Sequence, residues 1–180
     1  MPGTSSGRYQ SAVLIPVPAA DSVVGRWRHE HDPVASAGVP AHITLVVPWL
    51  PPQEITDDDL VALDEEVADV AAFEFDLTHV DWFGRRVLWA APEPMKPFLE
   101  LTDRLANRFL TPPWEDEFDE VIPHLTIAHA SDGVELVPIA ADVAGRLPLH
   151  CRAEEVWVMV GGAAGGARWE RRHRVRLVSV

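Results

Sequence analysis

Two short phrases in this chain carry groups that can move protons at a phosphate. Ala41-His42-Ile43-Thr44-Leu45 and Pro123-His124-Leu125-Thr126-Ile127 each place a threonine two residues after a histidine. Eight histidines and seven threonines in 180 residues give about 0.3 such triplets by chance, so the repetition carries more than either copy alone. On a strand, residues two apart share a face. His42 and Thr44 therefore point one way, with Ile43, Leu45 and Val47 toward the core, and His124 and Thr126 repeat this against Leu125 and Ile127. Two imidazoles and two hydroxyls brought to one cleft make a metal-free site for a phosphoester. In-line displacement at phosphorus needs a base for the attacking hydroxyl and an acid for the departing oxygen, and imidazole, with an ordinary pKa of about 6.5, serves in either role. Threonine hydroxyls donate to the non-bridging oxygens, where charge builds in the transition state.

These phrases must be held by regular elements, and the chain supplies them in order. Ser11 to Val17 is a short apolar run bounded by prolines, expected as an interior strand. A helix follows from Asp21 or Ser22 to about Glu30, then the strand His42 to Trp49. Thr56-Asp57-Asp58-Asp59 is an N-cap signal with acids in the first turn, and it opens a helix carrying Leu60, Leu63, Val67 and Val70. Phe73 to Leu77 alternates as a half-buried strand.

The order then begins again. Arg86 to Ala91 reads as a strand, Met95 to Leu110 as an amphipathic helix, His124 to His129 as a strand, Val134 to Leu147 as a helix and Leu149 to Val160 as a strand. Corresponding starts lie 75 (Ser11, Arg86), 82 (His42, His124) and 76 residues apart (Phe73, Leu149), which points to an internal duplication. The expectation is one α+β domain over 1–180. It is bilobal and pseudo-twofold, with lobes near 11–81 and 86–160, a Gly-rich hairpin loop at Gly161 to Gly166, a closing strand at 168–180, and both histidines on central strands facing a shared cleft. Met1 to Gly7 reads as a frayed tail.

Composition narrows the partners. Fifteen basic against 28 acidic residues leave a net charge of −13, which repels long nucleic acid unless the cations are gathered in one place. The lone Cys151 excludes an internal disulfide framework and a Cys-rich zinc site and fits a reducing cytoplasm. No run approaches 18 apolar residues, so no membrane-spanning helix is expected.

With AHITLVVPW (41–49), PHLTIAH (123–129) and their separation in view, the sequence resembles the 2H phosphoesterases, and within them the 2′-5′ RNA ligase-like branch, over nearly its whole length. The resemblance implies antiparallel sheets flanked by helices around a central cleft. It implies His42 and His124 as general acid and base, Thr44 and Thr126 as phosphate ligands, no cofactor, and chemistry at cyclic phosphates or 2′-5′ linkages of nucleotides or RNA ends. The acidity shifts the expected partner toward small nucleotides or short RNA. The alternative is a catalytically silent nucleotide-binding or protein-interaction module of the same fold, the latter through acidic stretches such as Glu115 to Glu120.

Three further residues are candidate substrate contacts. Trp49 closes the first motif strand and could stack on a base. Arg171 and His173, which share a face by parity, belong to the one dense cationic stretch, Arg168 to Arg176, and could hold phosphate. His29-Glu30-His31-Asp32 lacks the spacing of a metal-binding helix, so no metal is expected. Parity puts His129 on the face opposite Thr126, in a structural role.

Overall fold

The computed structural model describes residues 9–111, 121–131, 133–162 and 167–179. The Met1 to Gly7 tail, the acidic run Glu115 to Glu120 and positions 163–166 of the Gly-rich stretch lie outside the described residues. Eight strands are described: β1 (Tyr9–Pro16), β2 (His42–Val46), β3 (Phe73–Phe83), β4 (Val87–Glu93), β5 (Leu125–His129), β6 (Leu149–Ala153), β7 (Glu155–Gly162) and β8 (Glu170–Arg176). The helices are α1 (Asp21–His31), the short α2 (Pro33–Ser36), α3 (Asp57–Val67), α4 (Lys96–Phe109) and α5 (Leu136–Ala144). No described helix is long and apolar enough to cross a membrane.

Local chemistry accounts for most of these elements. The Thr56 hydroxyl accepts from the Asp59 N–H at 3.2 Å while the Asp59 carboxylate accepts from the Thr56 N–H at 2.8 Å, a complete capping box at the start of α3. α4 buries Phe98, Leu101, Thr102 and Leu105, and α5 buries Leu136, Ile139, Ala140 and Val143 at the same spacing, one apolar stripe each. Phe98 is fully buried and meets Phe73 and Phe75 edge-on at ring distances of 5.1 and 5.0 Å. The residue that precedes α1 is Ala20, so the helix has no side-chain cap at its N-terminus.

All strand pairing within the two sheets is antiparallel, in orders β2-β1-β7-β8 and β5-β4-β3-β6. The α+β, pseudo-duplicated expectation is met, but the sheets do not divide at residues 81 and 86. The segment predicted as Phe73 to Leu77 continues to Phe83, turns at Gly84 (φ +57°) and pairs directly with β4. A turn this tight obliges the two strands to be neighbours. The predicted strand Leu149 to Val160 likewise breaks at Glu154: β6 stays beside β3, whereas β7 joins β1. Each half thus lends its third strand to the other half's sheet, and the two sheets keep matching order. Helices cross over as well, since α1 packs on β5 and α4 on β2. The motif strands β2 and β5 are edge strands of their own sheets, not central ones. They lie against each other at the junction, so they are central only to the whole molecule.

Candidate active site

Both motif strands contain the same irregularity. On β2, Thr44 pairs with Leu14 and Val46 with Val13, which leaves Leu45 as an extra residue; on β5, Thr126 pairs with Trp89 and Ala128 with Leu88, which leaves Ile127. A bulge shifts parity by one. Leu45 and Val46 are both buried, as are Ile127 and Ala128. Residues three beyond each threonine consequently return to the threonine face. Val47 and His129, which strict alternation places elsewhere, line a cavity of about 170 Å³ with His42, Thr44 and Thr126. His129 thus lines the cavity, where strict parity does not place it, and Val47 holds the equivalent position in the first copy.

The imidazoles are set by matched hydrogen bonds. His42 Nδ1 lies 2.8 Å from the Pro40 carbonyl and His124 Nδ1 lies 2.7 Å from the Ile122 carbonyl. A carbonyl only accepts, so Nδ1 carries the proton in each ring and Nε2 carries the lone pair of the neutral form. His124 is packed edge-on against Phe83 at 4.7 Å and against Trp89 at 5.8 Å. It does not border the 170 Å³ cavity itself and lies immediately before β5, two residues ahead of Thr126.

Behind His42, α1 contributes a buried ion pair, Arg28 Nη2 to Asp32 Oδ2 at 2.8 Å. Arg28 also donates to the Val39 carbonyl at 3.3 Å, and Asp32 Oδ1 accepts from the Val34 N–H at 3.3 Å while lying 3.8 Å from His129 Nε2. Burial first, and the Arg28 guanidinium second, bring the pKa of His42 from 6.5 down to about 4, against the opposing pull of the Pro40 carbonyl and Asp32. The charge of His124 depresses it slightly further. Burial lowers the pKa of His124 as well, with the Ile122 carbonyl opposing.

The remaining candidates are distributed differently. Trp49 is 3% exposed and packs edge-on against Phe109 at 4.9 Å, so it is a core residue and does not border the cavity. The His173 Nε2 lies 2.7 Å from Asp64 Oδ1, a tie between β8 and α3 on the side away from the cavity. Arg171 and His173 do not share a face: Arg171 pairs with Met159 and His173 with Val158, so Arg172 is the extra residue of another bulge. Arg171 lies over the Trp157 ring at 4.5 Å, outside the cavity. Trp169 lines the cavity, and its indole donates to the Gly162 carbonyl at 3.1 Å. A Cβ at Gly161 would collide with that indole, which explains one glycine of the Gly-rich stretch. A larger hollow of about 600 Å³ between α4 and the start of β3 contains no histidine. Among the described residues no three His, Cys, Asp or Glu side chains gather as a metal-ligand set.

Comparison with known proteins identifies the family and the fold. The family model described as the 2′-5′ RNA ligase superfamily matches residues 15–164, a span that includes both His-x-Thr phrases. No curated protein sequence matches the chain. Among solved structures, E. coli LigT complexed with 3′-AMP is similar with a TM-score of 0.62 at 20% identity, over 94% of this chain and 98% of that one. E. coli LigT complexed with ATP gives 0.57 at 21% identity, over 96% and 99%. TT0787 of Thermus thermophilus gives 0.65 at 19% identity, over 93% and 97%. At these identities the structures attest the fold, while the family model covers most of the sequence, and on that match the chain belongs to the 2′-5′ RNA ligase superfamily of 2H phosphoesterases.

Proposed function

We propose that this chain is a metal-independent phosphoesterase that opens 2′,3′-cyclic phosphates or cleaves 2′-5′ linkages at nucleotide or short RNA ends. Membership of the superfamily supports a phosphoesterase or ligase type of enzyme. The observation that carries the finer reading is the duplicated setting of the two histidines, each with Nδ1 on the carbonyl two residues back and a threonine two residues ahead.

In the forward direction His42 serves as base. Its neutral form is favoured by burial and by Arg28, so Nε2 is ready to take a proton from water as the water oxygen bonds to phosphorus. One ring oxygen leaves phosphorus and receives the proton of protonated His124. The cycle ends with His42 charged and His124 neutral, and exchange with solvent restores both. Thr44 and Thr126 donate to the two non-bridging oxygens. A 5′-hydroxyl in place of water forms a new P–O bond by the same proton transfers, which is ligation, and the roles of the histidines exchange in reverse. The anionic substrate supplies the attraction that protonates His124, whose own surroundings favour the neutral ring.

The test is incubation with a panel of 2′,3′-cyclic nucleotides and short 2′-5′ and 3′-5′ oligonucleotides, with and without EDTA, followed by product analysis. Ring opening that survives EDTA is expected. Absence of turnover on every cyclic phosphate and 2′-5′ linkage favours the silent binding module instead, and activity restored only by one added metal contradicts the metal-free reading.

A further inference from the structure

The two sheets present their motif faces differently once the register is followed outward from the threonines. Thr44 pairs with Leu14, Leu14 with Trp157 and Trp157 with Arg174, so these four side chains share the cavity face of the first sheet. In the second sheet Thr126 pairs with Trp89 and Trp89 with Asp81. The pseudo-twofold therefore sets an aromatic ring, Trp157, against a carboxylate, Asp81.

Trp157 is also built to receive a flat ring. It is half-buried, and its Nε1 donates to Glu155 Oε2 at 2.7 Å, which fixes the indole. Two strand spacings separate it from Thr44, about 10 Å. A hollow of about 160 Å³ opens along it, lined by Pro16, Pro40, Trp157, Arg152 and the carboxylates Glu154 and Glu155, and Pro16 is the direct partner of His42. Above the indole lies the exposed guanidinium of Arg171, on the same sheet face through its pairing with Met159. Arg174 and Arg176 are each 3.7 Å from Glu155, whereas Arg171 pairs with no carboxylate among the described residues. In a chain of net charge −13, Arg171 is thus a cation available to a phosphate.

We infer that Trp157 and Arg171 seat a second nucleotide, its base on the indole and its phosphate at the guanidinium, so that the substrate is an oligonucleotide end and not a free mononucleotide. This rests on the phosphoester reading above. Base–aromatic stacking commonly changes affinity by about fivefold to a hundredfold on alanine substitution, independently of sequence.

The experiment compares adenosine 3′-monophosphate with a dinucleotide carrying the same terminal 3′-phosphate, by calorimetric binding, and measures kcat/KM on the corresponding 2′,3′-cyclic phosphates. At least tenfold tighter binding of the dinucleotide is expected. Trp157→Ala should reduce that gain to under twofold and leave mononucleotide affinity within twofold, while Trp157→Phe, which keeps a stacking ring, should retain most of it. Arg171→Gln should reduce the gain severalfold and flatten its salt dependence. Equal affinities for the two ligands, a gain that persists in Trp157→Ala, or equal loss of both ligands in that variant would each overturn the inference. Turnover of both cyclic substrates without a binding gain removes the second seat and leaves the chemistry standing. A binding gain with no turnover of either does the reverse.

Discussion

The depressed pKa of His42 makes folding stability depend on pH in a calculable way. The folded protein holds the ring neutral down to about pH 4, whereas in the unfolded chain it takes up its proton near 6.5. Between those values the unfolded state binds more protons, so the stability supplied by His42 is complete above 6.5 and is lost as the pH falls toward 4. Linkage puts the loss at about 2 kcal/mol by pH 5 and about 3 kcal/mol by pH 4. Other carboxylates and histidines titrate over the same range, so the useful quantity is a difference of differences. Urea unfolding of the wild type and of His42→Gln at pH 7, 5 and 4 cancels groups common to both, and the wild type should lose about 2 kcal/mol more than the variant between pH 7 and 5. The same pH dependence in the two proteins would show that His42 is not held neutral by its surroundings, and the assignment of the base would lose its support.

Other parts of the structure give separate outcomes. Asp32→Ala leaves Arg28 buried without its partner and should cost about 3 to 5 kcal/mol, read as a fall in Tm of roughly 6 to 20 °C. Thr44→Val or Thr126→Val should each lower kcat on a cyclic phosphate by about 2 to 4 kcal/mol of transition-state stabilisation, with little change in unfolding midpoint. Trp49→Ala removes a core ring and should destabilise by about 3 to 5 kcal/mol while the folded fraction retains its KM, as determined by denaturant titration beside steady-state kinetics. The pH profile of kcat/KM should be a bell shifted to the acid side of 6.5, because both free histidines have lowered pKa values; a maximum well above pH 7 would contradict it.

Much of this architecture is legible in the sequence, and what is not has definite physical causes. Period-2 and period-3.6 patterns locate the strands and helices because burial of one face selects them, and Thr56 with Asp59 marks a helix start that forms as read. The His-x-Thr phrases are visible because their spacing is the strand repeat itself. A one-residue bulge has no such signature: Leu45 and Ile127 are apolar residues among apolar residues, yet they reverse the parity of everything after them and bring Val47 and His129 to the cavity. The hint that the sequence does hold is the common offset of Val47 and His129 from their motif histidines, which makes them equivalent positions of the two copies. Strand exchange between halves is equally hidden, because Phe73–Phe83 satisfies its periodicity in either sheet and the tight turn at Gly84 makes the choice. The buried Arg28–Asp32 pair reads in the sequence as an ordinary i,i+4 surface pair, and only the packing of α1 on β5 encloses it.

The central claim is that His42 and His124 act as one acid–base unit on a phosphoester, and the most direct measurement is the turnover of a 2′,3′-cyclic phosphate by His42→Ala, His124→Ala and the double variant. Each single substitution should remove nearly all activity, and the double variant should be little worse than either, because removing one member of a cooperating pair already disables the other. Near-wild-type rates in both single variants would contradict the paired mechanism.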